Sequence, residues 1–236
     1  MSSRVQRACV WCGPVLIVVF FIGFWAVARF MPPPPPSWPA DAVVQMYRDH
    51  ADRIRIGLLM GLFAICFILP WAGALSWQLN RIEGRATPLS YAQLGAAVLA
   101  PVAFILPMMC WLIASYRPDT RSVEITTTLH EAGWLLFVMV VFSGPPWLLS
   151  IAVAILQDRR ERPLFPRWSA YFTIWAELLF VPGCVAVFFK SGPLAWNGLF
   201  VFWMPFGAFT LWLLVMSKLM LDVINRSEPL AGAPSA

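Results

Sequence analysis

Glu177 is the one acid set well inside a long apolar run, residues 169–189. An ionisable group at bilayer depth is costly unless it faces other helices, finds a partner or stays protonated. Thr173, Glu177 and Cys184 share a helical face with Ala170 and Phe180/Val181. That face carries the small and polar groups of the run, so it is expected to point into a bundle. Pro182 removes the hydrogen bond to the carbonyl of Leu178, one residue from the carboxyl. A carboxyl beside a freed carbonyl is the chemistry of proton or cation binding at a broken membrane helix. The plainer role is a protonated side chain hydrogen-bonded to a neighbouring helix. No Lys or Arg lies at matching depth to neutralise it.

The two histidines are the second candidate. His50 has Asp49 and Asp52 beside it, and His130 has Glu131. If the two segments meet, these groups could ligate a divalent metal, or the two rings a haem. No HxxH or HxxxH spacing reinforces that reading, and interfacial histidines with no ligand are the commoner case. The five cysteines offer less. Cys66, Cys110 and Cys184 lie inside apolar runs, where a thiol behaves as a small apolar group. Cys9 and Cys12 form one CxxC without a second ligand pair, a weak signal for zinc or redox chemistry. Signatures for metalloprotease, nucleophile-elbow, nucleotide and dinucleotide sites are absent, and Ser143-Gly144-Pro145-Pro146 reads as a kink. The expectation is a non-enzyme without a cofactor.

The elements that must position these groups are apolar runs. Six of them, roughly 10–30, 56–78, 92–115, 132–156, 169–189 and 195–219, are separated by short gaps that hold nearly every charge. A hydrocarbon core of about 30 Å needs about 20 apolar residues, so each run can span. With 60% hydrophobic and 12% charged residues, the composition leaves no room for a separate aqueous domain. The fold class is therefore all-α: a polytopic membrane domain over 1–226, with a disordered tail at 227–236. Residues 41–55 carry Val44, Tyr47, Ala51 and Ile54 on one face. The other face offers the i,i+4 pairs Arg48–Asp52 and Asp49–Arg53, so the segment reads as an amphipathic extension of the second span. The run Pro32–Pro36 holds an extended form and ends the first span.

The net charge of +5 is scattered over the gaps, which excludes a nucleic-acid stripe and informs topology instead. An N-in, C-in arrangement puts ten basic residues inside, among them Arg4, Arg7, Arg81, Arg85, Arg159, Arg160, Arg162 and Arg167, against seven outside. The first run is about 20 residues long, longer than a signal-peptide core, and is expected to be retained. Arg predominates over Lys, as in GC-rich bacterial genomes, so the bacterial inner membrane is the expected location.

Of 13 tryptophans, Trp38, Trp77, Trp134, Trp168 and Trp196 fall at run ends, where headgroups favour indoles. Trp71, Trp111, Trp175, Trp203 and Trp212 lie deeper and are expected to face the bundle, where their N–H groups find partners. Pro70, Pro107, Pro145 and Pro182 recur at near-equal spacing in four successive runs, so kinks are expected in each. The strings Pro163-Leu164-Phe165-Pro166-Arg167-Trp168 and Phe188-Phe189-Lys190-Ser191-Gly192-Pro193-Leu194-Ala195-Trp196 resemble those of uncharacterised bacterial six-span integral membrane proteins. The resemblance implies fold and membrane location and brings no activity.

Three functions fit these residues. The first is a non-catalytic accessory subunit whose partner, another membrane protein or a second copy, meets the basic loop of Arg159, Arg160, Arg162 and Arg167. The second is a small transporter or permease for a lipophilic or proton-coupled solute, using Glu177. The third is a membrane metal or haem protein using His50 and His130.

Overall fold

A computed structural model describes residues 2–84, 88–140 and 144–227; Arg85, Ser143 and the tail from 228 onward lie outside these. Among the described residues the chain is helical, with no strand. Five helical rods are long and apolar enough to cross a membrane: Ser3–Val27, Ala40–Glu83, Pro88–Tyr116, Arg167–Phe188 and Leu199–Ser227. Ser227, expected in the tail, is the last helical residue and donates to Val223 O at 2.8 Å.

Each rod shows how local chemistry sets its limits. Helix α1 (Ser3–Phe21) continues as a π turn, Ile22–Val27, and stops short of the donor-less proline run. Helices α2 (Ala40–Ile65) and α3 (Ile68–Glu83) form one rod of 44 residues, broken at Cys66–Phe67. The ring of Pro70 would strike the carbonyl four residues back, that of Cys66, so the break falls there and Pro70 sits in the first turn of α3. At 1.5 Å per residue the rod is about 66 Å long, twice the hydrocarbon thickness, so its amphipathic start projects beyond the lipid.

Helix α4 (Pro88–Tyr116) stays helical through Pro101 and Pro107. Its start is capped by Glu83, which accepts from Leu89 N at 2.9 Å, from Ser90 N at 2.8 Å and from the Ser90 hydroxyl. Gly84 makes the turn between them at a φ of 76°, a conformation open to glycine.

The fourth run is where the structure departs most from the sequence reading. It divides into α5 (Val123–Val138) and a rod of 12 residues, the π turn Pro145–Leu149 followed by α6 (Ser150–Leu156). Helix α5 closes with Met139 N donating to Leu135 O at 2.9 Å, and Pro145 and Pro146, whose missing donors cost nothing in a first turn, open the next segment. Helix α7 (Arg167–Leu178) answers Pro182 differently, tightening into a 3₁₀ segment, Val181–Phe188. A π turn, Leu199–Trp203, opens α8 (Met204–Ser227).

Helix α4 packs on α2, α3, α5 and α6; α1 packs on α2, α3 and α8; and α7 packs on α6 and α8. The pairs of α2 are not those the spacing suggested. Asp49 accepts from Gln45 at 2.7 Å, Arg48 donates to Pro118 O at 3.1 Å, and Asp52 pairs with Arg55 at 2.8 Å. Arg55 also donates to Ser115 O and Tyr116 O, placing a cation on the last carbonyls of α4.

Two hydrophobic cores result. One gathers Trp71, Trp147, Trp212, Ile151, Phe165 and Met216; the other gathers Phe24, Phe30, Tyr47, Trp111, Trp134 and Phe202. Trp71, Trp111 and Trp212 are buried as expected, whereas Trp175 and Trp203 face outward and Trp134 is fully buried. Lipid does not repel an indole face, so hydrophobicity alone does not draw a deep tryptophan inward. A partner for the N–H accompanies burial at some positions, while Trp134 and Trp147 are buried with Nε1 unmet among the described residues. Trp71 Nε1 has Ser217 Oγ at 2.8 Å, and Trp212 Nε1 has Thr173 Oγ1 at 3.0 Å.

Candidate functional site

At the junction of the two cores lies a cavity of about 80 Å³. Its walls come from α1 (Phe20, Phe21), α4 (Phe104), α5 (Phe137), the π turn before α6 (Trp147), the end of α7 (Glu177, Phe180) and α8 with its π turn. Aromatic rings dominate, and Glu177 is the sole charged group among the lining residues. Its side chain is buried, and Oε2 has no hydrogen-bond partner among the described residues.

Glu177 is aimed there by the last turn of α7, whose inner face is Ala170, Thr173 and Glu177. The opposite wall is Gly144, just before Pro145. A Cβ at position 144 would stand 2.7 Å from Oε1 and 2.8 Å from Cδ, so the carboxyl occupies the space a side chain there would need. The broken fourth run thus makes room for the acid. Thr210 is the other polar lining residue, and its hydroxyl donates back to Phe206 O at 2.8 Å.

Thr173, Pro182 and Cys184 do not join Glu177 in the lining. Thr173 donates to Ser169 O at 2.7 Å and accepts from Trp212, so its hydroxyl anchors α7 to α8. Pro182 sets the 3₁₀ segment, in which Phe180 N donates to Glu177 O at 3.0 Å and Gly183 N to Phe180 O at 2.9 Å. Cys184 is half-buried farther along it. The sequence reading placed a freed carbonyl beside the acid; the close neighbour is Gly144, from another element. Its signal was present in Gly144-Pro145-Pro146, but only as a kink.

The histidines take separate roles. His130 is buried, and its Nδ1 lies 3.0 Å from the hydroxyl of Tyr47, with the rings of Trp134 and Trp196 around it. His50 is exposed, at a step out of helical geometry (φ −134°, ψ 20°) in α2, and Glu131 is exposed on α5. Among the described residues no three His, Cys, Asp or Glu groups are gathered for a metal, so His50, Asp49, His130 and Glu131 do not form the ligand set the sequence suggested.

The basic loop folds around Asp158. Its carboxylate accepts from Arg160 Nε and Nη2, each at 2.8 Å, and from Leu164 N at 2.8 Å. Burial alone would raise its pKa, but these donors outweigh that and hold it below the ordinary aspartate value. Arg159, Arg162 and Arg167 remain exposed. No family model, curated protein or solved structure matches the chain.

Proposed function

We propose that this polytopic membrane protein is a six-pass carrier of the bacterial inner membrane that exchanges a small lipophilic cation for a proton bound at Glu177. The observation that carries the reading is the carboxyl of Glu177, unpartnered at Oε2 on the wall of an aromatic cavity. A carboxyl in that setting exchanges a proton for another cation, and aromatic faces attract organic cations. The cavity, about 80 Å³, is smaller than the roughly 300–1,000 Å³ of drug-sized sites, so it must widen to hold an organic cation.

The sixth crossing is the divided fourth run. Hydrogen bonds support an even number of passes: Arg7 to Asn225 at 3.0 Å, Arg81 to Ser227 at 3.4 Å and Arg226 to Leu164 O at 3.0 Å. They gather the start of α1, the ends of α3 and α8, and the basic loop at one face. That face carries the arginine excess, which favours a cytoplasmic assignment. The exposed Arg159, Arg162 and Arg167, on a loop held by Asp158, support an accessory-subunit role as a second reading.

Proteoliposomes with an entrapped pH dye and a clamped membrane potential test the carrier. External benzyltrimethylammonium, which carries no proton of its own, is expected to drive protons out through the wild type and not through Glu177→Gln. Proton movement that persists in Glu177→Gln, or none in the wild type, overturns it.

A further inference from the structure

A second site lies beyond the π turn Ile22–Val27 that follows α1, and it shares no lining residue with the Glu177 cavity. Arg29 ends the first span in a left-handed backbone conformation, φ 56°, which a residue other than glycine seldom holds unless its surroundings impose it. Arg53 lies on α2 just before the second apolar run begins. Burial and then the charge of Arg29 disfavour the charged form of Arg53. Together they line a groove of about 570 Å³ whose walls include Pro32–Pro35, Trp38 and His50.

One acid stands against this pair. Asp49, in the same groove, accepts from the neutral amide of Gln45 and keeps its charge, while Asp52 pairs with Arg55, so the groove sets two cations against one carboxylate. Arg53 Nε is shut away from solvent with no acceptor, and neither arginine has an acidic partner among the described residues. Two like charges held together, one with a buried donor unmet, leave a site short of negative charge. Its depth names the missing group. Both arginines stand at the lipid end of their runs, and Trp38 is 41% exposed beside them, the level at which indoles meet headgroups. Planar guanidinium groups match phosphate oxygens in pairs.

We propose that Arg29 and Arg53 hold the phosphate of an anionic phospholipid headgroup in the groove beneath Pro32–Pro35 and Trp38. One face of the headgroup rests on the proline wall while its oxygens meet the two cations, tying the segment after α1 and the middle of α2 to the membrane surface. The site is independent of Glu177 and of any solute carried there.

Native mass spectrometry of the detergent-purified full chain, titrated separately with phosphatidylglycerol, phosphatidylcholine and inorganic phosphate, tests it. One phosphatidylglycerol is expected to stay bound where phosphatidylcholine is lost. Arg29→Gln with Arg53→Gln should weaken retention about tenfold or more, and Arg29→Lys with Arg53→Lys should retain part of it. Arg117→Gln with Lys190→Gln should change nothing. Equal retention of the two lipids by the wild type overturns the proposal without recourse to any variant, as does undiminished retention in the double glutamine variant. Binding of inorganic phosphate that phosphatidylglycerol does not displace assigns the arginines to a free anion and overturns the lipid assignment.

Discussion

Glu177 and Gly144 are fitted to one another: the carboxyl of the first fills the place where the second would carry a side chain, and Oε1 would lie 2.7 Å from an added methyl carbon. A bond-poor acid and a missing side chain, from two runs that sequence order separates, form one local unit.

That relationship predicts coupling. Gly144→Ala should lower stability by about 1–3 kcal/mol through overpacking, and most of the loss should vanish when Glu177 is also replaced by Ala. Thermal unfolding of the four proteins in detergent closes the cycle. Additive losses would show that the two residues do not share the space.

Glu177→Leu should make the protein more stable. The change removes a buried polar group with an unmatched oxygen and fills apolar space, a gain of about 1–2 kcal/mol. Denaturant or thermal melting decides it, and a decrease would reveal a partner for the carboxyl. The same variant should be inactive in proton exchange, so stability and activity move in opposite directions.

Tyr47→Phe strips the hydrogen bond from a buried His130 Nδ1 without changing the ring that packs there. The expected loss is about 1–3 kcal/mol, the usual range for an orphaned buried polar atom. Calorimetry of the variant in detergent should show a single transition at lower temperature. An unchanged midpoint would mean the pair adds nothing to the fold.

Asp158 gives a pH dependence with a definite sign. Its carboxyl titrates below the ordinary value of about 3.9, so the folded loop is favoured fully above that value. The contribution fades as pH falls through the lower, folded-state value. Protection of 157–166 from an acid protease should therefore hold at mildly acidic pH and fail below the usual aspartate range. In Asp158→Asn, protection should be weaker at mildly acidic pH and independent of pH down through the aspartate range.

Much of the scaffold was legible because chain length in lipid is a simple measure. Runs of about 20 apolar residues gave the rods, and the inward faces of α2 and α7 followed from helical spacing at Tyr47, Ile54, Thr173 and Glu177. What failed is equally physical. Trp175 and Trp203 face outward because lipid and protein interior are both apolar, so hydrophobicity alone does not assign a side. Arg48, Asp49 and Asp52 found other partners than the i,i+4 spacing offered, Pro118, Gln45 and Arg55, and Arg53 Nε was left unmet among the described residues. Gly144 escaped notice because a glycine shows its purpose only beside what fills its space. The proline spacing did not say which form each disturbance would take: Pro107 stays inside α4, whereas Pro145 and Pro146 open a π turn.

Around the cavity the backbone itself is irregular on three sides: the π turn Pro145–Leu149, the end of α7 leading into its 3₁₀ segment, and the π turn Leu199–Trp203. Regular helices resist shear because every residue is tied to the one four places away. Backbone wound too loosely or too tightly already has its ties at other spacings and can exchange them without severing a rod. On those three sides the acid is held by backbone whose ties do not follow the regular spacing, while α1, α4 and α5 wall the remaining sides with regular helix.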